Sequence, residues 1–456
     1  MVRRQAGGIK VEHSGVLLTN GTVIDVSTGN TVVADILIEN DTIVIVDSGA
    51  NIPSEKRVAS TVVDVPGKWL APGLIDMHVH INEGYAPQFV ASGVTTVRNT
   101  AGNLIELRRL REAPSYAPTP RVIAADRLID GPPGCWGETS PWNLNTDDPD
   151  TARREVQRQV DAGADLIKVY GLLNRDVMRA VVEQTKQCGL DVSCDLLQSS
   201  QVTALEAAQM GVRWNEHCSG FIQDMYPGWT MSSSNDSWQH IDWESPDVAK
   251  VKVLCEKILE HEVILCPTMD IFDQIMRLPD YWDPKNSVSE KTRENSGLIQ
   301  QWEMFSGYVD SLRLQGRLRA FNQLIAKTYF DLGGTVVIGT DIPAGVWTFP
   351  GMALHREMEL FVGAGFSTLD TLRAATITAA RALGRSDLGE IKAGRVADIV
   401  ILNANPLEDM RNTQDIERIV KGGRVYTQEE ILRHVPSNER IAEIQEEVMK
   451  EISSHL

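Results

Sequence analysis

Eight apolar segments, each ending in polar or charged residues and followed by a helical pattern, constrain this chain most. In order they are LIDMHVH (74–80), GVTTVRN (93–99), PRVIAAD (120–126), ADLIKVY (164–170), GLDVSCD (189–195), RWNEH (213–217), VILCPT (263–268) and TVVIGTD (335–341). Strands alternating with helices build parallel sheets, and eight such units are the number that closes a (β/α)8 barrel. The spacing is uneven. Residues 127–150 and 218–247 are long insertions rich in Gly, Pro, Trp and Ser, as in lids and binding loops.

The two ends read differently. Residues 16–66 are short alternating runs broken by Asn20-Gly21 and by Thr28-Gly29-Asn30, and similar runs return at 394–406 and 416–426. One sheet domain assembled from both ends is expected. Residues 429–456 have helical periodicity with Ser437 and Asn438 as caps, expected as a surface helix packed on that sheet. A length of 456 residues exceeds one ordinary core. The net charge of −18 argues against non-specific binding to nucleic acid or an anionic membrane. No run of about 18 apolar residues could span a bilayer, and MVRRQAGGIKVEHSG lacks the apolar core of a secretory signal. The six cysteines (135, 188, 194, 218, 255, 266) form no C-x-x-C pair and read as reduced thiols. A cytoplasmic protein is the expectation.

In a barrel of this kind the chemistry sits at the C-terminal ends of the strands. Those ends carry His78, His80, Lys168, His217 and Asp341. His78 and His80 share one face of a strand, with Val79 on the other. Each residue alone has an ordinary reading: Lys168 snorkelling to a surface, His217 satisfied in a core, Asp341 capping a helix. All of them at strand ends of one barrel point instead to a metal site.

The stretches APGLIDMHVH, ASGVTTVRNT, AGADLIKVYG, WNEH, VIGTD, LHREMELFVGAGFSTLDTLRAATITAARALG and LGEIKAGRVADIVILNANP span nearly the whole chain. Together they resemble the metal-dependent amidohydrolase superfamily, near its prolidase-like and imidazolonepropionase-like branch. The resemblance implies a TIM-barrel catalytic domain over 71–388. A small β-sandwich would be built from 1–70 and 389–428, with the helical segment 429–456 after it. It implies that His78 and His80 hold the more buried metal and that His217 binds a second. Lys168 would be carboxylated by CO2 to a carbamate bridging the two. Asp341 would be both a ligand and the proton shuttle for metal-activated water in hydrolysis of a C–N amide bond. Zinc follows from the ligand types, with manganese, iron and cobalt as alternatives.

The pattern departs from the family at the fifth strand, where a histidine is usual and this chain has LDVSCDLLQSSQ. Asp195 offers an oxygen, Cys194 a sulfur on the opposite face, and Gln198 a weak ligand; that none binds metal has equal standing. One metal or two therefore both stay open. With one, a lyase, dehydratase or isomerase on the same scaffold competes with the hydrolase, and a catalytically inactive binding protein is a third reading.

Six of the ten tryptophans lie in the predicted loops at the active-site end: Trp136, Trp142, Trp229, Trp238, Trp243 and Trp347. They are read as an aromatic-walled pocket, the alternative being small hydrophobic clusters inside the loops. Tyr170, Trp136, Trp347 and His240 are the substrate-binding candidates, with Glu138 a weaker one. The expected partner is a small, partly aromatic or apolar amide, linear or cyclic and dipeptide-like by analogy. Neither nucleic acid nor a membrane is expected, and a homo-oligomer stays open.

Overall fold

In the computed structural model, which describes residues 15–49, 51–243 and 245–454, all eight expected segments contain strands. They are Leu74–Val79, Val94–Asn99, Arg121–Ala124, Ile167–Val169, Val192–Cys194, Trp214–Glu216, Ile264–Cys266 and Thr335–Val336. Each is shorter than its apolar run. The first three pair in parallel, as do the last five. Single parallel bridges continue the pairing at the two remaining seams, Ala125 with Leu166 and Val79 with Ile342. Parallel pairing thus passes through every segment and returns to the first. The intervening helices start where side-chain oxygens can accept their first N–H groups. Asn103, Asp148, Asn174 and Thr203 cap helices Leu104–Arg111, Pro149–Asp161, Arg175–Gln187 and Ala204–Met210.

The insertion at 127–150 is not structureless. Leu128–Asp130 and Asn143–Asn145 form a parallel pair that extends the sheet beside Val169. Its base is pinned by Glu155, whose carboxylate takes Arg127 at 2.6 Å and Arg158 at 2.6 Å. Burial alone would raise the Glu155 carboxyl, but Arg127, Arg158 and Gln159 pull it from its ordinary 4.5 down to about 2. A carboxyl depressed on folding contributes stability above its unfolded pKa and loses it as pH falls through the folded value. The melting temperature is therefore expected to drop between pH 4.5 and about 2, and Glu155→Gln to flatten that part of the profile. An unchanged slope in the variant, read by calorimetry across that window, would exclude the account.

Strands from the two chain ends join in one hydrogen-bonded sheet, which forks along its first strand. Gly15–Ile24 pairs antiparallel with Thr31–Glu39 on one edge. Its other edge takes Ser60–Asp64 along the first half and Trp69–Pro72 along the second. The fork sits where the register shifts between Leu18 and Gly21, with Asn20 at φ 62°. Ile399–Leu402 then pairs with Trp69–Pro72, and Ile416–Lys421 and Arg424–Tyr426 follow. Leu18, Ile36 and Leu70 from one end share a buried cluster with Ile399, Ile401 and Val420 from the other.

Of the segment expected on that sheet, the short helix Gln428–Leu432 does pack there, its Ile431 and Leu432 clustering with Ile419 and Tyr426, but the helix Asn438–Ser454 does not. Its acidic side meets the basic helix Leu104–Arg111, with Arg109 on Glu447 at 2.6 Å and Arg108 on Glu451. Charge complementarity with that helix explains the placement. The segment MVRRQAGGIKVEH, read above for a secretory signal, lies outside the described residues. Among the described residues no helix is long and apolar enough to cross a membrane.

Candidate metal centre

Strand alternation aims the first candidates. Ile167 and Val169 pack with Val177 and Val181 of the following helix, so Lys168 between them faces the other way. Val192 and Cys194 join the same cluster, which leaves Ser193 and Asp195 on the opposite face. His217 and Asp341 follow their strands with left-handed backbone, both at φ 62°. That conformation is costly for non-glycine residues and gathers at functional sites, where it re-aims a side chain.

Three imidazoles converge on one carboxylate. His78 Nε2 lies 3.1 Å and His80 Nε2 3.0 Å from Asp341 Oδ1, and His217 Nε2 lies 3.9 Å from Asp341 Oδ2. Asp195 Oδ2 is 3.4 Å from His217 Nε2. In each ring the other nitrogen is already engaged. His78 Nδ1 meets Glu216 Oε2 at 2.7 Å, His80 Nδ1 the Ala101 carbonyl at 3.1 Å, and His217 Nδ1 the Thr268 hydroxyl at 2.6 Å. With Nδ1–H donating to the Glu216 carboxylate and the Ala101 carbonyl, the Nε2 lone pairs of His78 and His80 face inward. That tautomer suits a metal ligand.

Glu216 is a functional residue that sequence reasoning passed over. It is fully buried and accepts two bonds from Arg98 Nη2, at 2.7 and 2.9 Å, and one from Ser193 Oγ at 2.6 Å. Burial opposes its ionisation, yet Arg98 and His78 hold it well below the usual carboxylate range. A signal was present: in WNE, Trp214 and Glu216 share a strand face, and an acid on a face with tryptophan needs a buried partner. That partner is Arg98, which also lies 4.2 Å above the Trp214 ring.

The donor set fits a divalent cation. Ligand atoms of His78, His80 and Asp341 lie within 4.8 Å of one another. Burial would raise Asp341, but His78, His80 and His217 keep it well below its ordinary value, hence anionic. Lys168 Nζ is buried and finds no hydrogen-bond partner among the described residues. An orphaned amine beside carboxylates and imidazoles is what a further ligand-bearing group would satisfy. His78, Glu216 and Cys266 also approach each other, but burial pushes the Cys266 thiol well up and Glu216 is already saturated. That second cluster is structural.

A cavity of about 630 Å³ opens over these groups, lined by His80, Tyr85, Trp136, Trp142 and Tyr170 among others. A second lobe of about 380 Å³ meets it at Tyr170, Asp195, His217 and Asp341, with apolar walls from Met231, Phe272 and Phe305. Trp136 stands edge-on to Tyr170 at 6.1 Å. Other expectations need correction. Trp347 stacks on Tyr281 at 4.4 Å and bonds Ser306, its φ of 56° turning it from the cavity into a cluster with Trp302. His240 is exposed, its Nδ1 on the Asp236 carbonyl at 2.5 Å, and borders neither lobe. Glu138 is likewise exposed and outside. Trp229, Trp238 and Trp243 pack together and join the main buried core, Trp243 standing edge-on to Phe321 at 5.5 Å. Cys194 is buried away from the site.

Comparison with known proteins agrees with this architecture. The profile described as "Amidohydrolase family" matches residues 240–426. Residues 240–426 thus match the amidohydrolase family, the one the strand-end motifs resemble. It is 26% identical over 434 residues to the protein named adenine deaminase 2 of Rhizobium meliloti (strain 1021), covering 89% of this chain and 56% of that one. It is 23% identical over 319 residues to ochratoxinase of Aspergillus niger, covering 68% and 55%. The chain thus spans little more than half the length of these relatives. Among solved structures, a Xaa-Pro dipeptidase with methionine bound in its active site matches with a TM-score of 0.64. That match has 19% identity and covers 90% of this chain and 99% of that one. At that identity the likeness is one of fold.

Proposed function

We propose that this protein hydrolyses a C–N amide bond in a small molecule with apolar or aromatic groups on both sides of the bond. The convergence of His78, His80 and His217 Nε2 on the Asp341 carboxylate carries this reading. In it, the ring of parallel strands is a closed (β/α)8 barrel. His78, His80 and Asp341 hold one divalent cation; Asp195, His217 and a carboxylated Lys168 hold a second, with zinc the best match to the ligands. When bound, such cations supply Lewis acidity that activates water near neutral pH and polarises a carbonyl.

The chain's own groups do the rest. Asp341 accepts the proton that water loses and delivers it to the leaving nitrogen, a role favoured by its ionised state. Burial and the nearby Asp195 and Asp341 keep the Tyr170 phenol well above its ordinary value, so it stays protonated, its O–H engaged by Asp195 and able to turn to the substrate carbonyl. Trp136 and Tyr170 line both lobes, while Leu107 and Leu128 in one and Met231 and Phe272 in the other give each half of the substrate its own apolar wall. Asp195 takes the place of the fifth-strand histidine, an oxygen ligand for a nitrogen one.

Elemental mass spectrometry on protein prepared with zinc and bicarbonate tests the ligand set. About two equivalents per chain are expected, falling to about one in Asp195→Ala. A single equivalent in the unaltered protein would remove the second cation, and assays would then turn to single-metal elimination or isomerisation. Release of free amine from a panel of N-acyl amino acids and dipeptides tests the reaction itself.

A further inference from the structure

A second cavity, of about 320 Å³, lies beside the catalytic one and shares Asn82, Glu106 and Trp142 with it. Its far wall is the helix Asn438–Ser454, through Ile441, Ile444 and Val448. That spacing makes one apolar stripe along the helix. The stripe has not found a protein core. Its three residues are only half-buried, and Ile452 is the one buried residue among those described in this helix. The helix is nevertheless tied down at both ends. Asn438 accepts from the Ser296 N–H at 3.0 Å and donates to the Glu294 carbonyl at 2.9 Å, while Arg108 and Arg109 hold Glu451 and Glu447. An anchored helix that presents an apolar stripe to open space next to a catalytic cavity forms a wall for something that enters.

Asn82, Glu106 and Trp142 line both cavities, and between the last two Trp142 Nε1 donates to Glu106 Oε2 at 3.1 Å. Both side chains are half-buried, so rotation of either joins the spaces without disturbing a packed core. The annex carries two carboxylates, Glu83 and Glu106. Glu83 has Arg109 at 3.7 Å, and its Oε1 is buried without a hydrogen-bond partner among the described residues. An anionic group entering there would meet like charge, whereas an uncharged chain or an ammonium group would not.

We propose that this annex is a subsite for the end of the substrate remote from the amide bond, selecting an unbranched apolar chain that is uncharged or ends in an ammonium group. The proposal rests on the hydrolytic reading above only for where the amide lies. Its test is therefore a binding measurement. The probes are ketomethylene analogues of N-acetyl-, N-octanoyl- and N-suberoylphenylalanine, in which CH2 replaces the amide nitrogen so that nothing is cleaved.

Calorimetry with the metal-loaded full chain is expected to show the octanoyl analogue binding about tenfold or more tighter than the acetyl one. The suberoyl analogue, with its terminal carboxylate, falls back towards the acetyl value. Ile444→Trp, which fills the annex, abolishes the octanoyl advantage, and Glu446→Trp on the exposed face keeps it. Val448→Trp is the second filling variant if the first fails to fold. Equal affinity for the acetyl and octanoyl analogues, binding of neither, or an octanoyl advantage that survives the filling variants would overturn the annex. Hydrolysis of the parent N-acetylphenylalanine is scored separately, so failure of the annex and failure of the hydrolytic reading give different results.

Discussion

Asp341→Asn is expected to lower kcat for amide hydrolysis by about a thousandfold or more with the fold intact, since a positioned acid–base group contributes roughly 10²–10⁴. Asparagine has nearly the shape of aspartate and tolerates the left-handed backbone that Asp341 adopts at φ 62°, so the strand end should survive the change. What disappears is the negative charge that the three imidazoles share, and with it the group able to take a proton from water. Cation binding should weaken as well, because His78 and His80 lose the carboxylate that completes their set. Steady-state kinetics at saturating zinc separates the two losses, since excess metal restores occupancy and leaves the missing base. A variant that keeps more than about a tenth of wild-type kcat would sink the proposed role of Asp341.

The second large effect is expected in stability. Glu216→Ala removes the acceptor of Arg98, of Ser193 and of His78 Nδ1 in one step. Arg98 is wholly buried, and its bond from Nε to the Met77 carbonyl at 2.6 Å leaves the charge uncompensated. Breaking a buried ion pair on one side costs about 3–5 kcal/mol. Urea unfolding of metal-free protein should show a loss of that order. Metal competition on the folded fraction should show affinity reduced by about 10- to 100-fold, the usual consequence of losing a carboxylate behind a histidine ligand. A loss below about 1 kcal/mol would mean that water compensates Arg98 and that the network is not a keystone. Asp341 and Glu216 both touch His78, yet one variant should appear in rate and the other in stability.

These two residues also differ in how visible they were. Asp341 ends an apolar run, TVVIGTD, and a carboxylate released at the end of a buried strand can be read from neighbours a few positions away. The same local logic found the His78–His80 pair and Lys168 at its strand end, whereas Asp195 entered only through the resemblance, as a candidate at the strand that lacks the usual histidine. Glu216 stands next to His217 and was still missed. Its partner Arg98 lies 118 positions earlier and His78 lies 138 positions earlier. A buried acid is unremarkable in a string of letters until the base that neutralises it is known.

The aromatic loops show the same limit. Trp136 and Trp347 looked alike, both in Gly- and Pro-rich stretches near the strand ends. Trp136 reaches Tyr170 and the cavity, while Trp347 is drawn into a stack with Tyr281 and Trp302. Which way a loop tryptophan turns depends on the apolar surface nearest to it in space, and that surface comes from remote segments.

The sequence by itself therefore determined the eight parallel units, the meeting of both ends in one sheet, and the candidate residues at the strand ends. Periodicity, strand alternation and the chemistry of each side chain are local properties of the chain. Only the tertiary structure decided where the sheet forks and that Glu216 and Arg98 stand behind His78. It alone put Trp347 and His240 away from the cavity and laid the helix Asn438–Ser454 along a neighbouring one. Each of those outcomes is a pairing of charges or apolar faces far apart in the chain, and such pairings exist only once folding has brought them together.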